Sequence, residues 1–446
     1  MKNFKIQLPK TVKQILNRLS ESGFEAYIVG GCVRDCIMGK EPNDWDITTS
    51  ALPSEVKTVF ENERLIETGV SHGTVTLILN NSPYEITTYR VDGNYTDSRH
   101  PESVTFTRSL KEDLKRRDFT INAIAYNDVE GIVDLFDGAR DIRLRTIRAV
   151  GDAATRFQED ALRILRALRF SSTLDFSIDE QTEKSAIECK DLLLNISAER
   201  ILAELSKTLC GKNVKYVLKR FKDIVFTIIP ELKLSDNFDQ HTPYHAYDVY
   251  THTVLALEKI EPKIHLRLAT LLHDVAKPAC HTSDENGVGH FKNHANVGSE
   301  MAEQILKRLK CDTATIKKVA TLIKYHDIEL SLNENLILKR LNKFGEEMLF
   351  DIIKLKKADN QAKTENVLYR VTELEEIENE VKRIIALKKC FSLKDLAVKG
   401  TDIVSLGAVG VEVGEVLNAL LEKVIDGEIP NEKSVLLFEA KKLIKK

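Results

Sequence analysis

The chain of 446 residues carries 65 Lys and Arg against 68 Asp and Glu, a formal net charge of −3. It is too long for a single core, and no global basic field announces nucleic acid, although a local basic surface remains open. The seven cysteines lack C-x-x-C spacing, no stretch approaches eighteen uninterrupted apolar residues, and the start (MKNFKIQLPKTVKQIL) has no long apolar run, so a reduced, cytoplasmic, membrane-free protein is expected.

As far as Phe136, short strand-like runs (EAYIVGG, GTVTLIL, YEITTYR) alternate with helical segments. From Asp137 onward strand signals nearly vanish and helical periodicity runs to the C-terminus. The expected fold class is α+β, a mixed head on an all-α body. Four parts are expected: a head over 1–136, a helical neck over 137–236, a histidine-rich body over 237–365, and a helical tail over 366–446 with a basic end, KKLIKK.

In the head, AYIVGGCVRD places Gly30 and Gly31 between an apolar run and a helix-compatible segment, where backbone can approach a ligand and a helix start favours phosphate. Arg34 adds a fork of donors suited to a triphosphate. In NDWDITT, Asp44 and Asp46 sit two apart, so in a strand both carboxylates face one side. Hard oxygen ligands on one face suit Mg²⁺ together with substrate phosphates, and Glu85 in YEITTYR supplies a third acid in another strand-like run.

GGCVRD, NDWDIT, EITTYR and DLKRRDFTINAIAY resemble the core motifs of the class II tRNA nucleotidyltransferase and bacterial poly(A) polymerase family, with its polymerase-beta-like head. The resemblance implies two-metal nucleotidyl transfer to an RNA 3′-hydroxyl. Asp44 and Asp46 would be the Mg²⁺ ligands and Glu85 the third carboxylate. Arg117 would contact the nucleotide phosphate and Asp118 the ribose 2′-hydroxyl, with Arg116 and Asn122 supporting their turn.

The stretch EDALRILRALRF (159–170) reads as one helix whose charges recur every third residue. At i, i+3, Asp160 and Arg163 present an acceptor beside a donor. Cytosine and adenine match that pair; uracil and guanine present the reverse and are rejected, since a buried polar mismatch costs more than a lost bond. The family's E-D-x-x-R motif falls here, and the resemblance adds Arg166 and Arg169 to the nucleotide site. Arg169 lies about half a turn from Asp160 and is the weaker candidate for a base contact. CTP, ATP and tRNA are the implied partners; oligomeric state is not readable.

Between Glu85 and Arg117 a long segment rich in turn formers reads as a flexible loop. Its Tyr95, Asp97, Arg99 and Pro101 resemble the CCA-adding members, and no Gly-basic-basic-Phe run of poly(A) polymerases is visible. CCA addition is therefore favoured, with an A-adding enzyme or poly(A) polymerase as the alternative and a non-catalytic RNA-binding protein as the reading from another class. DLFDGARDIR (134–143) resembles the family's hinge, with Gly138 as the pivot.

Seven of the eleven histidines fall between 252 and 326. His252, His273-Asp274, His294, His326 and Asp359 follow the order H, HD, H, H, D, a donor set suited to a divalent metal. The pattern resembles the HD superfamily of metal-dependent phosphohydrolases. His252, His273, Asp274 and Asp359 match its core, and His294 and His326 match the extra ligands of two-metal members. The resemblance implies an accessory phosphatase or 2′,3′-cyclic phosphodiesterase activity.

Overall fold

The computed structural model describes residues 4–93 and 103–444. Tyr95, Asp97, Arg99 and Pro101 lie outside the described residues. The chain divides into two compact units, Met1–Pro230 and Glu231–Lys446. The first contains the segment expected as head and that expected as neck up to residue 230; residues 231–236 of the expected neck fall in the second with the segments expected as body and tail.

The first unit opens with α1 (Lys10–Glu21), whose Val12, Ile15, Leu16 and Leu19 form one buried stripe. It continues through β1 (Ala26–Val29), α2 (Gly31–Ile37), β2 (Ile47–Thr49), α3 (Pro53–Val59), β3 (Arg64–Ile66), β4 (Thr74–Leu79) and β5 (Ser82–Thr88). Next come β6 (Arg90–Asp92), β7 (Val104–Phe106), α4 (Leu110–Lys115), β8 (Ile124–Asn127) and β9 (Gly131–Asp134). Seven of these strands form one sheet in the order β3-β4-β5-β2-β1-β8-β9. All its pairs are antiparallel except β2 with β5. β1 lies between β2 and β8 and is buried throughout, which its unbroken AYIV run allows. Within the segment expected as a flexible loop, β6 and β7 pair antiparallel and α4 follows.

The helical part of this unit comprises α5 (Gly138–Leu144), α6 (Ala153–Glu159), α7 (Leu162–Leu174), α8 (Glu180–Glu188), α9 (Ala198–Leu209), α10 (Val214–Arg220) and α11 (Lys222–Ile228). Two short strands, Thr146–Ile147 and Ser177–Ile178, pair in parallel here despite the weak strand signals. The single helix expected over 159–170 is two. α6 ends at Glu159, Asp160 is extended (φ −139°, ψ 100°), and its carboxylate accepts from the Leu162 amide at 3.2 Å to start α7. Asp favours such breaks because its short side chain competes for backbone N–H groups. Gly138 is no free pivot: a Cβ there would meet the Thr120 carbonyl at 2.1 Å, and Asp134 accepts from the Gly138 and Ala139 amides at 2.8 and 2.9 Å. Close packing, not dihedral freedom, is what requires glycine at this position.

The second unit runs through α12 (Val249–Lys259), α13 (Ile264–Leu272), α14 (His294–Arg308), α15 (Thr313–Tyr325) and α16 (Glu334–Gln361), which breaks at Gly345. It ends with α17 (Tyr369–Ala386), α18 (Gly400–Val404), α19 (Val411–Ile425) and α20 (Lys433–Ile444). One apolar cluster joins α16 and α17 to these last helices through Leu341, Ile353, Ile377, Val381, Leu420 and Leu436. No helix among the described residues is long and apolar enough to cross a membrane.

Candidate functional site

Asp44 and Asp46 lie in the segment just before β2 rather than inside the strand, and the Asp46 carbonyl accepts from the Val29 amide at 3.0 Å. Ile47 pairs with Ile86 in the parallel β2–β5 register, so Asp46 and Glu85 each immediately precede that pair. Parallel register aligns side chains on one face, and Asp46 and Glu85 line one cavity. The three acids are not drawn into a single 4.8 Å cluster. Asp46 has solvent-facing surface, yet protein packed around its carboxyl raises its pKa by desolvation; Arg117 lowers it and Asp44 raises it further. A carboxylate held at such a cost, open to solvent and beside other acids, fits a hard cation such as Mg²⁺.

Asp46 also borders a cavity of about 450 Å³ whose wall includes Gly30, Gly31, Arg34, Asp44, Arg117, Asp118, Arg166 and Arg169. Gly30 precedes α2 at φ 80°, ψ −128°, and a Cβ there would stand 3.3 Å from an Arg117 guanidinium nitrogen. Glycine therefore permits both the turn and the approach of Arg117. Arg34 donates to Asn122 Oδ1 at 2.7 Å, and Asn122 donates to Asp118 Oδ1 at 3.2 Å. Asp113, fully buried on α4, receives Arg116 at 2.7 Å and Arg117 at 3.2 Å.

Asp118 is 8% exposed. It accepts from the Phe119 amide at 2.8 Å and from Arg166 Nε and Nη2 at 2.7 and 2.5 Å. Burial works to raise its pKa, but Arg166 and Asn122 outweigh that and bring it down to about 2. Arg169 pairs with Glu204 of α9 at 3.0 Å. The Phe170 ring lies within 5.3, 5.5 and 4.2 Å of the Arg34, Arg166 and Arg169 guanidinium carbons, forming a cationic floor.

The expected base-reading pair stands differently. Arg163 donates to Glu159 Oε2 at 2.7 Å and to the Arg116 and Arg156 carbonyls at 2.9 and 3.1 Å. Asp160 Oδ2 receives Arg200 at 3.2 Å. Neither borders the cavity, whereas Arg166 and Arg169, which the resemblance added to the nucleotide site, both do. The helix break sets Asp160 off the α7 surface. Phe170, Asp113 and Glu204 escaped the sequence reading; only Asp113, three and four residues before Arg116 and Arg117, left a signal there.

In the second unit His252, His273, Asp274, His294, His326 and Asp359 converge. Ligand atoms of His252, His273 and Asp274 lie within 4.8 Å of one another, and so do those of Asp274, His294 and His326. Asp274 thus belongs to both sets. His252 Nε2 stands 3.0 Å from Asp359 and 3.7 Å from Asp274. The Nδ1 atoms of His273, His294 and His326 lie 2.8, 2.8 and 2.6 Å from the carbonyls of Thr270, Phe291 and Ile323, and that of His252 lies 3.3 Å from the Ala362 carbonyl. Each contact favours the tautomer with hydrogen on Nδ1, which turns an Nε2 lone pair toward Asp274. Asp274 Oδ1 is buried without a hydrogen-bond partner, while Oδ2 stands 2.7 Å from the Lys277 ammonium and 3.2 Å from His273 Nε2. An orphaned oxygen on a carboxylate shared by the two sets fits divalent cations.

Without cations the charges must balance otherwise. Burial lowers the His273 pKa, but Asp274 and Asp359 outweigh it and bring it up to about 10, while burial takes His326 down to about 4. Lys277 and Lys363 pair with Asp274 and Asp359 at 2.7 and 2.6 Å, and Asp327 lies 3.2 Å from His294. These three were not singled out in the sequence, although Lys277 stands one turn after Asp274 and Asp327 repeats the His-Asp dipeptide.

Comparison with known proteins places three family descriptions on the chain. "Poly A polymerase head domain" matches residues 26–148, "Probable RNA and SrmB- binding site of polymerase A" residues 175–233, and "tRNA nucleotidyltransferase domain 2 putative" residues 282–440. The chain is 36% identical to the CCA-adding enzyme of Ligilactobacillus salivarius over 99% of its own length and 97% of that protein's. It is 33% identical to that of Enterococcus faecalis over 97% and 96%. The Bacillus stearothermophilus CCA-adding enzyme in complex with CTP superposes with a TM-score of 0.73 at 28% identity, covering 98% of each chain. The fold is shared with the Thermotoga maritima CCA-adding enzyme complexed with tRNA-CCA, at a TM-score of 0.57 and 21% identity, over 98% and 96% of the two chains.

Proposed function

The chain belongs to the family of CCA-adding tRNA nucleotidyltransferases, and from that premise we propose that its first unit builds CCA on tRNA 3′ ends from CTP and ATP without a nucleic acid template. The observation that carries this reading is the juxtaposition of Asp44, Asp46 and Glu85 with the cavity walled by Arg117, Asp118, Arg166 and Arg169. The family uses divalent metal, and Asp44 and Asp46, with Glu85 beside them, would hold Mg²⁺. Bound there, the cation supplies Lewis acidity to the attacking 3′-hydroxyl and the departing pyrophosphate.

The residues of the chain do the rest. Arg117, with Arg34 and Arg169, offers guanidinium donors to the triphosphate. Asp118, ionised at neutral pH, offers acceptor positions to a ribose hydroxyl while Arg166 fixes its orientation. Asp160 and Arg163 remain the proposed selectors of C and A. They must first exchange Arg200 and Glu159 for the base. By the same proposal residues 137–236 form the neck, 237–365 the metal-binding body, and 366–446 a tail that touches tRNA.

The test is extension of tRNAs ending at the discriminator base, at C and at CC, with CTP and ATP singly and together. Three nucleotides added in the order C, C, A are expected. Extension of the CC-ended RNA alone would replace CCA addition with A addition, and long A tails would point to poly(A) synthesis.

A specific observation favours a second activity. The two ligand sets that share Asp274 fit a pair of divalent metals of the HD type. We propose that this centre hydrolyses phosphate esters at nucleotide or RNA ends. The check is metal-dependent phosphatase activity that His273→Ala abolishes while nucleotide addition continues.

A further inference from the structure

Asp113 on α4 is a fully buried carboxylate, which is tolerated only where its charge is paired. Its Oδ1 accepts from Arg116 Nε and Nη2 at 3.0 and 2.7 Å, and its Oδ2 from Arg117 Nη2 at 3.2 Å. The same carboxylate stands 3.4 Å from both the Thr48 hydroxyl and the Arg90 amide. Thr48, on β2, follows Asp46 by two residues, and Arg90 opens β6 directly after the strand that carries Glu85. Asp113 thus touches both acid-bearing elements, and also the arginine that borders the two cavities on either side of Asp46.

Arg117 is anchored at one nitrogen. Nη2 goes to Asp113, Nη1 faces Gly30, where an added Cβ would stand 3.3 Å away, and Nε is buried without a hydrogen-bond partner. A buried N–H left without an acceptor is costly, so it points to an atom that arrives with a ligand. A guanidinium held by one arm, with its other donors turned to a cavity wall, suits the oxygens of a triphosphate.

The anchor also keeps Arg117 from a competing acid. Arg117 already lowers the Asp46 pKa. Freed from Asp113, it would be drawn to Asp46, lost to the triphosphate, and would neutralise a carboxylate that faces the cavity. The backbone of the turn does not rest on this contact. Arg163 donates to the Arg116 carbonyl at 2.9 Å, the Val150 amide to the Asp118 carbonyl at 3.1 Å, and the Thr120 amide to the Arg148 carbonyl at 2.9 Å. What Asp113 fixes is the side chain of Arg117, whose rotamers are otherwise many.

Resting on the reading of the first cavity as the nucleotide site, we infer that Asp113 is a positioning residue of the transferase centre. It holds Arg117 by Nη2, aims the remaining donors at the triphosphate and keeps them off Asp46.

The experiment titrates the full chain calorimetrically with CTP and Mg²⁺, without RNA. The dissociation constant reports the site in folded molecules, whereas stoichiometry and melting temperature report how many are folded. Arg117→Ala and Asp113→Asn should each weaken CTP by about tenfold or more at wild-type stoichiometry. The double variant should bind no more weakly than Arg117→Ala alone, since nothing is left for Asp113 to position. Arg117→Lys should lose nearly as much as Arg117→Ala, because an ammonium held by Asp113 has no second arm to offer. That variant leaves Asp113 in place and decides the matter if Asp113→Asn does not fold. Losses that multiply in the double variant would overturn the role, and so would wild-type affinity in Arg117→Lys. Wild-type affinity in Asp113→Asn, with only stoichiometry or melting temperature reduced, would confine Asp113 to the fold. Unchanged affinity in Arg117→Ala would instead overturn the reading of the cavity, and the positioning role with it.

Discussion

Arg166 grips one carboxylate oxygen of Asp118 with two nitrogens, at 2.7 and 2.5 Å, across 48 residues of chain. This pairing joins the helical part of the first unit to the turn that carries Arg117. The nucleotide cavity is thus bordered by an arginine and an acid that already hold each other. Arg166→Ala should lower kcat/KM for CTP and ATP by about 10²-fold, and Arg166→Lys should restore only part of it, since one ammonium cannot reproduce the paired contact. Unchanged steady-state kinetics in Arg166→Ala would show that Asp118 keeps its position without the arginine.

The same pair sets a pH dependence. The folded Asp118 pKa, about 2, lies below its ordinary 3.8. The stabilisation is therefore present above the unfolded value and is lost as pH falls through the folded one. Over that interval it is worth on the order of 2 kcal/mol. Denaturant unfolding between pH 5 and pH 2 should show wild type losing stability more steeply than Asp118→Asn at the acid end; parallel curves would contradict the assignment.

Asp46 has the opposite sign. Desolvation and the neighbouring Asp44 raise its pKa against the effect of Arg117, so its charge at neutral pH costs folding free energy. Asp46→Asn should abolish nucleotide addition, by about 10³-fold or more if metal binding is lost, while leaving the melting temperature unchanged or slightly higher. A clear fall in melting temperature would mean that Asp46 serves the fold.

For base selection, Asp160→Ala should relax the preference for C and A over U and G as well as slow addition. It also removes the acceptor for the Leu162 amide and the partner of Arg200, at a cost of about 1 kcal/mol. Misincorporation of UTP and GTP is therefore the informative readout; a variant that is merely less stable would leave the helix start as the whole role of Asp160.

The acids of the head were legible because period-two alternation is a local property: Asp44 and Asp46 share a side in any extended backbone. Alignment of Glu85 with Asp46 needed the parallel β2–β5 register, which no local pattern specifies. The break before α7 was not legible for a related reason: counting steps of three assumed an unbroken helix from Glu159, whereas Asp160 is extended and stands outside α7, the helix whose Arg166 and Arg169 border the cavity. Capture of Asp118 by Arg166 and the floor formed by Phe170 are long-range packing outcomes, invisible in spacing. In the body the order of histidines and acids was legible, but the sharing of Asp274 between two ligand sets appears only when α12 to α16 are assembled.

That sharing gives the last prediction. If Asp274 serves two cations, Asp274→Asn should abolish binding of both, whereas His294→Ala, confined to one ligand set, should leave one. Metal analysis of the purified variants after dialysis against Mn²⁺ would read about two ions per chain at this centre in wild type, none in the first variant and one in the second, with transferase-site metal subtracted through Asp46→Asn. If the centre holds cations, chelation should destabilise the second unit, because without them the buried carboxylates and imidazoles are balanced only by Lys277 and Lys363. CCA addition by the His294 variant should stay at the wild-type rate when Mg²⁺ is supplied, since that residue belongs to the second unit alone. Equal metal loss in the two variants would replace the shared-carboxylate arrangement with a single site ligated by all six residues.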